Sequence, residues 1–465
     1  MKFVNRLDEL RFLESKHGSE PEGQLIVLYG KRRVGKTELV KQFARSRPHL
    51  YFLADKLPEQ NNLAEISELV GQHFRDDFLA QRGFSEWRQL FDYLAPRARD
   101  LVFVIDEFPY LIEANPAIPS VFQKGWDEAL KASGITLILV GSSISMMEEY
   151  VLNQRSPLYG RRTGQLRIGP LRFPDLREFF GNKSFIEAAG LWAVLGGIPY
   201  YWERFEAGSS LWNNLEKKVF AKGEVLYQEV EFLLAEELRQ PRIYFAILRA
   251  LALGKRKLAE ILNETGLERH VLTKYLAVLR ELDLVERETP VTDRYPEKSK
   301  RGIYRITDPY FNFWFRFVFL NRSLLEQSNL EPVIEATRRK WNLYMGPVYE
   351  EIARQLFASW AASGQRPFRI TRLGRWWAPD HEIDLVALDE ASNKLFCAEV
   401  KWTERPVGIN ILEQLKSKAE VLSSQISATE VQLGLFSKSG FTEKLLERSN
   451  SGKLLLVHGD QIVKT

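Results

Sequence analysis

The apolar run Leu25–Tyr29 passes directly into Gly30-Lys31-Arg32-Arg33-Val34-Gly35-Lys36-Thr37, which satisfies G-x-x-x-x-G-K-[ST] at every fixed position. No other stretch constrains the fold so strongly. A continuous apolar run reads as a buried parallel strand, and Leu39, Val40 and Phe43 follow the motif at helical spacing. Strand, glycine-rich loop and helix together aim backbone N–H groups and the positive end of a helix at one phosphate-sized space. Gly30 to Thr37 is therefore expected to bind ATP, with Lys36 reaching the β- and γ-phosphates and the Thr37 hydroxyl holding Mg²⁺.

A second apolar run, in Asp100–Tyr110 (DLVFVIDEFPY), ends in Asp106-Glu107. A buried strand delivers such acids to the carboxyl edge of an open α/β sheet, where ligands collect. Asp106 is expected to hold the Mg²⁺ water shell and Glu107 to orient or polarise the attacking water. Thr136–Ser143 (TLILVGSS) is a further strand ending in hydroxyls, and Ser142 or Ser143 is a candidate γ-phosphate sensor. A strand-end serine that caps a turn is the plainer alternative. After the turn at Ser156–Gly160 come Arg161 and Arg162. They suit an arginine finger that neutralises transition-state charge, or else a solvated pair. Asn5 is expected to cap a helix that sets Leu7, Leu10 and Leu13 on one face. His49–Ala54 reads as a strand, and Ser85–Leu94 as a helix burying Trp87, Leu90, Phe91 and Leu94.

Together with GSSISMM, SPLYGRRTG and LGGIPYYWERF, these segments resemble the archaeal- and bacterial-type P-loop ATPases of the AAA+/STAND group. The lead-in FVNRLDEL resembles the F-x-x-R-x-x-E-L of AAA-type ATPases. Proteins of this group often carry a C-terminal domain described only as of unknown function. The resemblance implies a finger at Arg161 or Arg162 and a G-x-P turn at Gly197-Ile198-Pro199.

A chain of 465 residues is too long for one ordinary core and implies about two to four domains. A net charge of +4 permits nucleic-acid contact without demanding it. The single cysteine, Cys397, cannot form an intrachain disulfide, so a reducing, cytoplasmic setting is expected. MKFVNRLDEL has no apolar core of a signal peptide. Tyr310–Leu320 is too short for a bilayer and carries Arg316, which assigns it to a core or domain interface and leaves no membrane partner.

Leu238–Ile306 is a separate block. Helices are expected at Arg242–Leu253, Lys257–Asn263 and Glu268–Leu282, then two strands, Val285–Pro290 and Gly302–Ile306. The stretch between those strands is basic, with Arg294, Lys298, Lys300 and Arg301. Helix–turn–helix plus hairpin is a winged-helix pattern. The outward face of its third helix (His270, Thr273, Lys274, Ala277) has one fixed positive charge and is a poor phosphate magnet. DNA contact and plain protein contact are both open to it.

In the last region a helix at Pro347–Trp360 precedes Phe368–Leu373. His381–Ala387 and Lys394–Trp402 follow as two strands around a turn at Asp389–Asn393. Alternation along a strand puts Glu399 and Lys401 on one face, and a hairpin brings Asp384 beside Glu399. Two carboxylates converging with a lysine make a Mg²⁺ site that activates water. The D-x(n)-E-x-K spacing resembles the PD-(D/E)xK nuclease fold, which implies a helical acid at Glu350, with Glu351 as the alternative. Gln414 and Lys418 are placed to line the same groove.

The expected architecture is α/β. An AAA+-like ATPase domain (1–205) is followed by a helical and winged-helix domain (206–320), a linker (321–344) and a restriction-endonuclease-like α/β domain (345–465). The expected function is a DNA-directed ATPase whose nucleotide state controls a metal-dependent nuclease-like domain. The alternative is a STAND-type switch that binds a protein partner or DNA without cleavage, and either reading admits a homo-oligomer.

Overall fold

Five short runs build one parallel sheet: β1 Gln24–Tyr29, β2 His49–Leu53, β3 Val102–Asp106, β4 Thr136–Gly141 and β5 Gly164–Arg167, in the order β2-β3-β4-β1-β5. The computed structural model describes residues 3–18, 22–181, 183–238, 240–365, 368–449 and 454–463. The chain divides into two units, Met1–Leu171 with Ile198–Tyr200, and Arg172–Gly197 with Tyr201–Thr465. The parallel sheet belongs to the first. Strands β1, β3 and β4 are almost wholly buried, as their unbroken apolar runs require. Leu25, Val27, Phe103, Ile105 and Leu139 feed a core completed by Trp87, Leu90, Phe91 and Leu94 of the helix Trp87–Leu94. Because β4 lies between β1 and β3, its serine end is flanked by the loop after β1 and the acids after β3.

The first helix differs from expectation. It runs Leu7–Lys16 and is capped by Arg6, without a side-chain bond. Asn5 and Arg6 both have left-handed backbone (φ 54° and 65°). The cause is Arg6 itself, which is buried and donates to the carbonyls of Val34 (2.8 Å) and Gly169 (2.7 Å). The chain must turn sharply to send that guanidinium inward, so Leu7 ends exposed and only Leu13 of the helix is buried.

In the second unit, helices Pro241–Ala252, Leu258–Thr265 and Arg269–Glu281 precede an antiparallel hairpin, β6 Val285–Glu288 and β7 Ile303–Ile306. Leu272, Leu276 and Leu279 are buried on the third helix, while His270, Thr273, Lys274 and Ala277 are exposed. The aromatic stretch Tyr310–Leu320 is helical, with Tyr310, Phe311, Phe313, Trp314, Phe315 and Phe317 buried. Among the described residues, no helix is long and apolar enough to cross a membrane.

Residues 321–344, expected as a linker, are largely helical. Helix Arg322–Glu326 is followed by Glu331–Ala362, one continuous helix that runs through position 345 and through Pro347. The proline ring removes the rung that would reach Leu343. Burial of Tyr344, Met345, Tyr349 and Ile352 on either side of it keeps the helix intact.

Six strands complete this unit: β8 Arg372–Ala378, β9 His381–Asp389, β10 Lys394–Lys401, β11 Glu430–Ser437, β12 Leu454–His458 and β13 Gln461–Ile462, in the order β13-β12-β11-β10-β9-β8. Neighbours β8, β9 and β10 are antiparallel, whereas β10, β11 and β12 are parallel. Strand β8 is an edge, and the chain after β6 covers it. The Val291 N–H donates to the Arg375 carbonyl (2.9 Å), and Arg372 donates to the carbonyl of Asp293 (2.9 Å). Covering an edge in this way removes a template for stray strand pairing.

Candidate functional site

The loop Gly30–Thr37 leaves β1 through conformations that side chains resist. Gly30 has φ 154°, and a Cβ there would lie 2.2 Å from the Ile168 carbonyl oxygen; Gly35 has φ 93°. Lys36 is buried, and its Nζ donates to the carbonyls of Gly30 (2.9 Å) and Lys31 (2.8 Å). Arg32 donates to the Tyr110 hydroxyl (3.2 Å), and Arg33 stacks over the Tyr200 ring (4.2 Å). Val34 is buried beneath the loop, with its carbonyl braced by Arg6.

Thr37, at the start of the helix Lys36–Ala44, meets the end of β3. Its Oγ1 donates to Asp106 Oδ2 at 2.7 Å. The Tyr51 hydroxyl, arriving from β2, donates to the same oxygen at 2.7 Å. Asp106 Oδ1 accepts the Glu107 N–H at 2.9 Å. Burial, helped by the Asp106 carboxylate, pushes the Tyr51 phenol far up, so it remains a neutral donor. An alcohol and a carboxylate in contact beside a phosphate loop are the hard oxygen donors Mg²⁺ takes, so these residues fit the ion.

Glu107 occupies the left-handed region (φ 52°) where a strained non-glycine residue turns the chain into the helix Phe108–Ala114. Its Oε1 accepts from Ser142 Oγ at 2.6 Å. Of the two strand-end serines, Ser142 therefore touches the acid, whereas Ser143 lies beside Ser145 (3.4 Å). Arg161 pairs with Asp127 (3.0 Å). Arg162 bonds Gln165 and the Leu152 carbonyl, and lies over the Tyr159 ring (4.9 Å). None of these partners belongs to Gly30–Thr37.

A second constellation lies in the other unit, on β9 and β10. The register sets Leu385 opposite Ala398, which brings Asp384 level with the end of β10. Asp384 Oδ2 accepts from the Val400 N–H (2.9 Å) and from Lys401 Nζ (3.1 Å). The same ammonium bonds Glu399 Oε2. Lys418, on the helix Ile409–Ile426, donates to Glu399 Oε1 at 2.7 Å, while Gln414 one turn earlier is exposed. Burial alone would weaken the Lys401 charge, but Asp384 and Glu399 outweigh it and raise the pKa. Two buried carboxylates already share one cation here, and carboxylate oxygens are donors of the kind Mg²⁺ takes. Among the described residues, no group of three or more His, Cys, Asp and Glu side chains is arranged to hold a metal ion.

Glu350 and Glu351 face different neighbours. Burial pushes the Glu350 carboxyl up; Arg375 (Nε to Oε2 3.4 Å) opposes this and the Asp384 charge adds to it. Glu351 is gripped by Arg354 (2.7 Å) and Arg305 (3.3 Å), which overcome burial and hold it down at about 2. Sequence reasoning missed Tyr51 and Arg375. Nothing local marks either one, since each meets its acid through the pairing of elements distant in sequence.

Residues 3–205 match the profile of an ATPase domain predominantly from Archaea, and residues 314–419 that of archaeal and bacterial proteins of unknown function. An uncharacterized protein of Methanocaldococcus jannaschii is 38% identical over 405 residues, covering 86% of this chain and 88% of that protein. An uncharacterized ATP-binding protein of the same organism is 56% identical over 45 residues, 10% of this chain and 75% of that protein. Among solved structures, the Walker-type ATPase of Pyrococcus abyssi aligns with a TM-score of 0.49 at 22% identity, covering 68% of this chain and 96% of its own.

Proposed function

This chain belongs to the ATPase family found predominantly in Archaea, and from that membership we propose that it binds ATP with Mg²⁺ at Gly30–Thr37 and hydrolyses it. We propose further that its nucleotide state controls a metal-dependent, DNA-directed nuclease-like site at Asp384, Glu399 and Lys401. The observation that carries the first part is the direct contact of Thr37 with Asp106, with Glu107 next in the chain. Lys36 exchanges its two loop carbonyls for the β- and γ-phosphate oxygens, and the loop N–H groups cradle the rest. Bound Mg²⁺ supplies charge neutralisation at the phosphates. Glu107, aimed by Ser142, orients a water for in-line attack on the γ-phosphorus; the bond to the ADP oxygen breaks and the water's proton leaves through the carboxylate. Arg161 or Arg162 acts in trans, as the finger of a neighbouring copy.

In the second unit, the three helices and the β6–β7 hairpin are read as a winged helix, and β8 to β12 with the long helix as a PD-(D/E)xK-like domain. Asp384 and Glu399 would hold the metal and Lys401 would stabilise the attacking water or the departing charge. A bound divalent ion supplies the acidity that turns water into a nucleophile. The direct test incubates purified protein with linear, branched and single-stranded DNA, with and without Mg²⁺ and ATP. Nicking that requires Mg²⁺ and changes with ATP is expected.

A second reading, a nucleotide-dependent switch that binds a partner without cutting, draws on one observation. Both oxygens of Glu399 are already held by lysines, Lys401 and Lys418. It expects no metal-dependent cleavage of any substrate in the same experiment.

A further inference from the structure

We infer that Tyr51 is a positioning residue for the metal site: by donating to Asp106, it fixes the carboxylate that Mg²⁺ and its water shell must meet. This rests on the ATPase reading and adds a residue to it. The geometry is specific. Tyr51 lies on β2, whose register with β3 pairs Leu53 with Asp106 and Tyr51 with Val104. Paired residues of neighbouring strands point to the same face, so Tyr51 stands one strand across and one pleat behind Asp106, a diagonal that an aromatic side chain can span. Its ring is half-buried, with Lys41 Nζ 5.2 Å above it.

Asp106 is buried and held by three hydrogen bonds. Its Oδ2 accepts from Thr37 and Tyr51, both at 2.7 Å, and its Oδ1 accepts one backbone N–H. The Thr37 hydroxyl has a lone pair to offer a metal under the ATPase reading. The Tyr51 hydroxyl sits on a rigid ring and has no such second duty. Its hydrogen is committed to Oδ2. Loss of hydrogen-bond partners of this kind behind metal ligands typically costs about 10- to 100-fold in metal affinity or activity.

Full-length Tyr51→Phe distinguishes this role from simple packing. Mg²⁺ is titrated at saturating ATP, and binding of a fluorescent ATP analogue is measured without metal. The Mg²⁺ concentration for half-maximal turnover should rise about tenfold, while most turnover returns at saturating Mg²⁺ and metal-free nucleotide binding keeps the parent value. The rise in melting temperature given by Mg²⁺ at fixed ADP reads the same coupling in a variant too unstable to assay, and it should shrink. Mg²⁺ curves that superimpose on the parent's overturn the inference. So does an equal loss of nucleotide binding with and without metal, which marks Tyr51 as a structural prop. Parent protein and Lys36→Ala run alongside: if neither shows Mg²⁺-dependent turnover, the ATPase reading falls and Tyr51's role with it. If only the parent turns over, the outcome bears on Tyr51 alone.

Discussion

At the scale of single residues, the proposed ATP site gives Lys36 and Glu107 separable duties. Lys36→Ala removes the ammonium that would leave the Gly30 and Lys31 carbonyls for phosphate, and it is expected to abolish tight ATP binding with the fold retained. Glu107→Gln keeps the size and the Ser142 contact but loses the charge that polarises water. It should bind ATP normally and turn over at least about 100-fold more slowly. Equilibrium nucleotide binding and steady-state phosphate release on the two variants separate binding from chemistry. Parental turnover in both would remove the assignment. The placement of Glu107 was legible in the sequence because it depends on the end of one apolar run, which is local. The Ser142 bond is partly legible, since two serines compete at the end of β4 and only strand order decides between them. The Tyr51 bond depends on the register of two parallel strands joined through a long crossover, for which the residues between them give no signal.

At the scale of elements, charge pairs differ by their surroundings. Arg354 lies on the long helix, nearly buried, between Glu288 of β6 (3.3 Å) and Glu351 (2.7 Å). Arg354→Met leaves Glu351 to Arg305 alone and Glu288 to the longer contact with Arg375, at a cost of up to about 3 kcal/mol. Arg11→Met, whose partner Asp8 is exposed, should change stability little. Urea unfolding followed by circular dichroism reads both, and equal effects would mean that the Arg354 network is solvent-screened. The arginine pair after β4 makes a different prediction. Arg161 and Arg162 bond residues outside the phosphate loop, and the proposed finger acts on another copy. The double alanine variant should lose turnover with ATP affinity kept, and mixing it with Glu107→Gln protein should restore part of the activity. Unchanged turnover in the double variant would leave them as ordinary surface arginines. Strand β8 shows where element-level reading stops. Gly374, a register shift at Gly374/Trp376 and the buried Arg375 break its alternation, so the edge strand has no period to find. The basic stretch after β6 looked free for DNA, yet Arg301 pairs with Asp293 and donates to the Trp377 carbonyl, while Arg294, Lys298 and Lys300 remain exposed.

At the scale of the whole molecule, the proposal requires two chemistries that can be removed separately. Asp384→Asn, Glu399→Gln and Lys401→Ala should each abolish Mg²⁺- or Mn²⁺-dependent nicking while ATP hydrolysis continues, and DNA binding should persist in Asp384→Asn. Lys36→Ala should leave the C-terminal carboxylates intact but remove any response of nicking to ATP. Parallel assays of phosphate release and plasmid relaxation decide the matter, and nicking that survives all three C-terminal substitutions would point to another site or a contaminant. Division of the chain was legible only in outline. The helical continuity across position 345 was not legible, because Pro347 reads as a helix start, when burial on either side carries the helix through it. That helix has a mechanical consequence. Its 32 residues span about 48 Å at 1.5 Å per residue, and Glu350 rides on it about 28 Å from the Glu331 end. An acid mounted on a loop would absorb a push by local rearrangement. Glu350 is instead geared to a rod with one weakened rung, four residues long, between Leu343 and Pro347. The matched region 314–419 contains the rod, the rung and the strands of the D-x(n)-E-x-K motif.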